Sequence, residues 1–259
     1  MTWLEAFILG IIQGLTEFLP VSSSGHLEIG KVLLGTEIKE NITFTIVVHG
    51  ATVCSTIVVF YKEIAGLFRG VFSFRWNDSS RYAAKLILSC IPVLILALLF
   101  EDEIESLFTG DLLLVGIMLM ITALLLGFTH FSRSNKKEIG FIHAFIIGIA
   151  QAIAVLPGIS RSGATISTGL LLGNKKEEVA KFSFLMVLIP IIGKNLLDIF
   201  SGQMVKEATE IMPLVIGFLA AFFSGWVACK WMIGIVKRSK LIYFAAYCLV
   251  VGILAIIFS

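Results

Sequence analysis

Three stretches of this chain, residues 112–131, 211–229 and 241–259, contain no Asp, Glu, Lys or Arg. About 20 residues of helix cross the hydrocarbon core of a bilayer, and a run of that length without charge is suited to lipid rather than water. The composition agrees. Apolar residues make up 58%, charged residues 15%, and the mean hydropathy is +0.98, against roughly 45–50% and about 25% in soluble domains. A core built from 259 residues cannot hide that much apolar surface, so the solvent is lipid. Segments 41–60, 83–100 and 182–200 carry only a few polar residues and bring the expected transmembrane helices to six. Two other apolar regions, 1–34 and 141–172, are too long for one span, and each is interrupted midway by Pro, Gly and Ser. Proline lacks an N–H and glycine favours turns, so a helix ends at such a cluster.

Several classes are set aside at this point. A net charge of +2 with no basic tract among aromatics argues against a nucleic-acid partner. Cys54, Cys90, Cys229 and Cys248 lack metal-ligand spacing and read as small buried hydrophobes. The N-terminus has neither a basic leader nor a small-residue cleavage site, and is expected to belong to the mature protein.

The connecting loops orient the chain through the excess of Lys and Arg on the cytoplasmic side. Loops 61–82, 132–140, 173–181 and 230–240 are basic, whereas 101–111 holds five acids and no base. If region 141–172 dips into the membrane and returns, all four basic loops share one side, with 14 Lys or Arg there against Lys39 and Lys206 opposite. Region 141–172 is therefore expected to be a re-entrant helical hairpin. Region 1–34 resembles it: Gly10-Ile11-Ile12-Gln13 matches Gly148-Ile149-Ala150-Gln151, and Ser22, Ser24 and Gly25 fall on Ser160, Ser162 and Gly163 at the same shift. Three spans follow each hairpin. An odd number inverts the second copy, so residues 1–131 and 141–259 are expected to form an inverted-topology repeat within an all-α polytopic membrane protein. Such repeats place a site where their broken helices meet near the midplane, because non-helical backbone survives there only when buried or lining a wet cavity.

The first break reads Gln13-Gly-Leu-Thr-Glu17-Phe-Leu-Pro20-Val-Ser22-Ser23-Ser24-Gly25-His26. Gln13 and Glu17 are four apart and share a helix face. Ser22, Ser23 and Ser24 stand where a new helix would start, with His26 in its first turn; hydroxyls and free N–H groups there favour an anion, although serines also simply cap helices. An ionisable residue at membrane depth costs a few kcal/mol, which makes Glu17 and His26 functional candidates. The second break, Pro157-Gly-Ile-Ser160-Arg161-Ser162-Gly163-Ala-Thr165, contains the one charged residue of region 141–172. The planar guanidinium fork of Arg161 suits phosphate oxygens. It would also neutralise Glu17 across the repeat interface. His49 is an intramembrane histidine that either approaches the first hairpin or bonds a neighbouring helix, and Lys194 and Asp198 are spaced to pair on one helix.

Together, Gln-x-x-x-Glu, Pro-Val-Ser-Ser-Ser-Gly-His and Pro-Gly-Ile-Ser-Arg-Ser-Gly-Ala-Thr resemble the bacterial undecaprenyl-diphosphatase family of the bacitracin-resistance type, with agreement along the whole chain. The resemblance implies an integral membrane phosphatase that converts undecaprenyl diphosphate to undecaprenyl phosphate and inorganic phosphate, recycling the lipid carrier of cell-wall synthesis. It implies a multi-pass protein of the cytoplasmic (inner) membrane with its site open to the outer face, and a divalent cation, Mg2+ or Ca2+. The family's motif positions fall on Gln13, Glu17, Ser22, Ser23, His26, Ser160, Arg161 and Thr165. The first acidic position, often Glu in the family, is Gln13 here, which removes a charge but leaves an oxygen ligand. Catalysis is expected from Glu17, Ser23, His26 and Arg161, with Ser23 as nucleophile and His26 as its base. His26 itself, or a water placed by Glu17, remains an alternative nucleophile. Ser22, Ser24, Gly25, Ser160, Ser162 and Thr165 are expected around the substrate, and Glu17 with Gln13 at the cation. The expected partners are the prenyl lipid and bulk membrane lipids, with a homodimer left open. The rival class is an inverted-repeat transporter or flippase for an anion or lipid phosphate, distinguished by anion accumulation in sealed vesicles rather than phosphate release.

Overall fold

The computed structural model describes residues 1–34, 42–107, 110–132, 137–200, 211–238 and 240–259. In chain order the helices are α1 (Trp3–Phe18), α2 (Ser23–Leu34), α3 (Ile42–Val59), α4 (Tyr61–Val71), α5 (Asp78–Leu99), α6 (Glu101–Glu105), α7 (Leu112–Phe128), α8 (Phe141–Ile153), α9 (Arg161–Leu171), α10 (Lys176–Met186), α11 (Leu188–Phe200), α12 (Ile211–Lys237) and α13 (Ile242–Ile257). One isolated bridge, Lys137 to Asn174, is the sole β pairing among the described residues. The protein is a multi-pass membrane protein. Asp78–Leu99, Leu112–Phe131, Lys176–Leu197 and Ile211–Lys237 are long and apolar enough to cross a bilayer, and the bent α3–α4 pair supplies a fifth span if it counts as one.

Local chemistry sets the helix starts. Thr2 and Glu5 form a reciprocal capping box at α1. Asn77 Oδ1 accepts from Ser80 N (2.8 Å) at α5, and Asp111 Oδ1 accepts from Leu113 N (2.9 Å) at α7. The expected span 41–60 ends at Val59, where the chain turns by 80° into α4. Segment 61–82, expected as a loop, therefore contains a helix with no buried residue. Apolar Tyr61, Ile64, Ala65 and Phe68 recur at helical spacing among Lys62, Glu63 and Arg69, the pattern of a helix lying in a membrane interface. The expected span 182–200 starts earlier, at Lys176, and 241–259 narrows to the 16 residues of α13. Cys90, Cys229 and Cys248 are buried as expected, but Cys54 is exposed on α3.

Small residues bring the helices together. Lipid tails are as apolar as leucine, so packing between membrane helices depends on close backbone approach. Helix α1 packs most extensively on α12, and α8 on α5. A methyl built on Gly10 would come within 2.6 Å of the Gly217 carbonyl, and one on Gly14 would collide with Ser224 Oγ and the Ala221 carbonyl. Gly148 similarly lies on the backbone of Ser89 in α5. Helices α7 and α13 cross at Gly116 and Gly252, each set against the other's carbonyl.

The buried face of α1 reads Ala6, Leu9, Gly10, Gln13, Gly14, Glu17 and Phe18. Packing α1 on α12 thus carries Gln13 and Glu17 inward. Overfilling a close-packed site costs roughly 1–3 kcal/mol, so Gly14→Ala should lower the thermal midpoint in detergent, whereas Gly127→Ala, with nothing within 4 Å of the new methyl, should not. Equal midpoints for the two variants would show that the α1–α12 approach is not tight.

Candidate active site

Both breaks are built from the same capping chemistry. Helix α1 ends at Phe18, and Leu19 turns into extended backbone ahead of Pro20. Ser22, at φ 68°, reverses the chain, and its Oγ accepts from Gly25 N at 3.2 Å to start α2. In the second break Gly158 makes the reversal at φ 94°, and Ser160 Oγ accepts from Gly163 N at 3.1 Å to start α9. A second hydroxyl lies two residues on in each case, with Ser22 to Ser24 and Ser160 to Ser162 both 3.3 Å apart. The capping role that serines commonly play therefore holds for Ser22 and Ser160.

The two breaks meet. A methyl on Gly25 would lie 3.1 Å from Gly158 Cα, and one on Gly163 would lie 3.4 Å from Pro20 Cβ. Side chains complete the backbone hydrogen bonding that the turns leave open. Ser162 Oγ donates to the Leu19 carbonyl at 3.1 Å, while Thr122 Oγ1 on α7 accepts from Ser160 N at 3.0 Å. Thr165 Oγ1 donates to the Arg161 carbonyl (2.8 Å) and contacts Ser183 Oγ (2.6 Å). It braces the start of α9 and is not part of the cavity lining.

Against this junction stands a cavity of about 440 Å³. Glu17, Ser22, Ser23, Ser24, Ser160, Arg161 and Ser162 line it. Glu17 is the hub. Its Oε1 pairs with Arg161 Nη2, and its Oε2 accepts from Gln13 Nε2 at 2.9 Å and from Ser23 Oγ at 3.1 Å. The neutralisation of Glu17 by Arg161 is thus present, inside the cavity rather than away from it. Glu17 is 6% exposed and Arg161 23% at their side chains, so the guanidinium is the more open of the two.

Chemically, the cavity offers the Arg161 guanidinium, the start of α9 and a set of hydroxyls to an anion. It also holds Ser23 with its hydroxyl directed at a carboxylate. A helix N-terminus beside Arg and Ser suits phosphate.

A family model described as Bacitracin resistance protein BacA matches residues 6–254. The chain belongs to this family. It is 55% identical to a Bacteroides fragilis protein named undecaprenyl-diphosphatase, over all of this chain and 99% of that one. A Parabacteroides distasonis protein of the same name is 55% identical, over 99% of this chain and 98% of its own. One from Methanosphaera stadtmanae is 36% identical over 99% and 98%.

His26 sits differently from the expected serine–histidine pair. Its Nδ1 lies 2.8 Å from the Ser22 carbonyl, its Nε2 lies 2.7 Å from Tyr247 Oη, and its ring stacks on Tyr247 at 5.6 Å. Both nitrogens are engaged, and His26 is not among the cavity-lining residues. Gly25 is likewise packed into the junction, where it leaves room for Gly158. Glu28 is buried, with its carboxylate beside Gly110 rather than in the cavity.

The cavity wall includes residues that the two motifs do not mark: Thr45 and His49 on α3, Gln151 on α8, and Lys194 and Asn195 on α11. His49 Nδ1 bonds the Thr45 carbonyl of its own helix at 2.9 Å while the ring faces the cavity. Gln151 matches Gln13 in the sequence repeat, a signal that could have placed it here. Lys194 and Asn195 carry no such signal, because α11 reaches the site through its packing on α3 and α5. The expected Lys194–Asp198 pairing falls on a side chain, Asp198, outside the described ones.

No group of three or more His, Cys, Asp or Glu side chains suited to a metal occurs among the described residues. Of the two oxygens expected at a cation, the Glu17 carboxylate lines the cavity, whereas Gln13 is buried behind it and is not among the lining residues; Gln13 Oε1 has no hydrogen-bond partner among the described residues. One carboxylate and one amide oxygen match a hydrated cation shared with phosphates, not an all-protein cage.

Removing one partner of a buried ion pair leaves the other charge uncompensated, at a cost of roughly 3 kcal/mol, reduced here by the exposure of Arg161. Arg161→Ala should lower stability in detergent, and adding Glu17→Gln should restore part of the loss without restoring activity. Additive losses in this cycle would show that the two side chains are not coupled.

Proposed function

We infer that this chain is an undecaprenyl-diphosphatase, hydrolysing undecaprenyl diphosphate to undecaprenyl phosphate and inorganic phosphate and so returning the lipid carrier to cell-wall synthesis. Family membership and relatives of that name along the full chain support the reaction. The observation that carries the chemistry is the convergence of Glu17, Ser23 and Arg161 from two separate breaks into one cavity. A bacitracin-resistance role fits the same activity.

In the mechanism we propose, Arg161 and the N–H groups at the start of α9 hold the terminal phosphate. They offset the charge that develops on its oxygens, usually the largest catalytic contribution. Ser23 Oγ attacks the terminal phosphorus as Glu17 Oε2, already accepting its hydrogen bond, takes the proton. The phosphoanhydride bond breaks and undecaprenyl phosphate leaves. Water then attacks the phosphoserine and leaves with both its hydrogens on inorganic phosphate, while Glu17 returns its proton to Ser23 Oγ as the Ser23–phosphorus bond breaks. His26, tied between the Ser22 carbonyl and Tyr247, holds the backbone that presents Ser23, in place of the base role first expected of it. A Mg2+ or Ca2+ arriving with the diphosphate would be held by Glu17 and Gln13 Oε1 and would supply further charge neutralisation.

The membrane arrangement belongs to the same reading. Regions 1–34 and 141–172 act as two re-entrant hairpins, each followed by three spans, in an inverted repeat of residues 1–131 and 141–259. The matched caps at Ser22 and Ser160 and the reciprocal approach of Gly25 to Gly158 and Gly163 to Pro20 support it. In this reading the chain sits in the cytoplasmic membrane with its basic loops inside and the cavity open to the outer face.

Purified protein in detergent should release phosphate from undecaprenyl diphosphate, and absence of release would overturn the assignment. Glu17→Ala, Ser23→Ala and Arg161→Ala should each lower turnover at least about 100-fold, and wild-type turnover in any one removes that residue from the mechanism. Acid-stable label on Ser23 after rapid quenching would support covalent catalysis; its absence, with label on no residue, would leave water as the attacking group. Chelation should suppress turnover and added Mg2+ or Ca2+ restore it, whereas an unchanged rate would exclude the cation.

A further inference from the structure

A second, larger cavity of about 900 Å³ lies on the other side of the α1–α2 break. Leu15, Thr16, Leu19 and Val21 form its inner wall, and Thr16 also lines the active-site cavity, so little more than the break itself separates the two. Its rim is basic and aromatic, with Lys230, Arg238 and Lys240 beside Trp231, Tyr243 and Tyr247. Lys230 Nζ stands 3.9 Å from the centre of the Trp226 ring. Among the described residues no carboxylate pairs with any of the three cations, and none lines the cavity.

At Leu15 this cavity joins an almost wholly apolar groove of about 600 Å³. Only α1 and α12 line the groove, through residues such as Phe7, Ile11, Ile216 and Phe223. The two helices run parallel, Gly10 against Gly217 and Gly14 against Gly225, so the groove leads from their N-terminal ends to the basic rim.

Basic and aromatic residues at a membrane surface commonly anchor a helix end. Anchoring does not account for a cavity that runs inward to the break and continues as a groove one helix pair wide. Cations with no carboxylate partner among the described residues at one end, and a narrow apolar trough behind them, match a single-tailed amphiphile with a phosphate head. A phospholipid, with two acyl chains, fits such a trough poorly.

We propose that this groove and cavity form a second, non-catalytic seat for a polyprenyl monophosphate. The phosphate lies among Lys230, Arg238 and Lys240, and the chain runs along α1 and α12. The ligand class rests on the function proposed above, because the tailed monophosphate is that reaction's product. Glu17, Ser23 and Arg161 are not among the residues that line this seat, which therefore holds product or its returning copy outside the catalytic cavity.

The test counts bound lipid by native mass spectrometry of the full chain titrated with undecaprenyl monophosphate in detergent. Wild type should bind two molecules. Arg238→Gln/Lys240→Gln should bind one, with affinity for the other lowered at least tenfold, while phosphate release from a short-chain prenyl diphosphate stays within about twofold of wild type. Arg161→Gln should keep the molecule that the double variant loses. Quenching of tryptophan fluorescence by the second molecule should disappear in Trp231→Phe. A single bound molecule in wild type, abolished by Arg161→Gln, would overturn the proposal. So would displacement of the second molecule by equimolar phosphatidylglycerol, which marks a general anionic-lipid surface, or by millimolar inorganic phosphate, which marks recognition of the head alone. Failure of wild type to release phosphate would strike the proposed reaction, while the lipid count would still read the groove.

Discussion

The ion pair between Arg161 and Glu17 joins two segments 144 residues apart at the point where both leave helical geometry. Glu17 is buried and Arg161 half-buried beside it, so leaving either charge alone is costly. A carboxylate in hydrocarbon costs a few kcal/mol, as does an unpaired guanidinium, and the pairing makes each break a condition for the other. Around it the structure completes what the turns leave open. Ser162 supplies a donor to the Leu19 carbonyl, and Thr122 supplies an acceptor to Ser160 N. The pair is therefore structural and chemical at once. It holds the breaks together and leaves Arg161, the more exposed partner, facing the cavity.

From this junction the rest of the packing follows. Glycines at 10, 14 and 148 let the first helices of both breaks press against α12 and α5, and that approach sets the depth at which Gln13, Glu17 and Gln151 sit. The active-site cavity occupies one side of the first break and the basic cavity the other, with Thr16 common to both. The last turn of α1 and the break after it thus separate the cavity proposed to cleave a phosphoanhydride from a surface suited to a phosphate monoester. The first is made of hydroxyls, a carboxylate and a guanidinium; the second has cations and aromatics but no nucleophile aligned with a carboxylate.

Much of the site was legible in the residues because polar groups are expensive in lipid and therefore conspicuous. Glu17, Ser22 to Ser24, Ser160, Arg161 and Ser162 are marked by their place between apolar runs, and all of them line one cavity. His26 was conspicuous for the same reason, yet its ring turns to Tyr247, 221 positions away. Spacing along a helix fixes which residues can approach, not which way an imidazole rotates. Lys194 and Asn195 illustrate the converse: their helix is brought to the cavity by packing against α3, and no local pattern encodes that.

The sequence by itself determined the solvent, the helical class, the two breaks and the chemical types available at each, because hydropathy, proline and glycine act locally. It did not determine that α3 would bend by 80° after Val59, that Ser23 would direct its hydroxyl to Glu17 rather than His26, or that α1 and α12 would leave a groove between them. Those outcomes depend on which helix surfaces come into contact and how closely. In a membrane, where no hydrophobic gradient separates one apolar face from another, only the three-dimensional packing decides them.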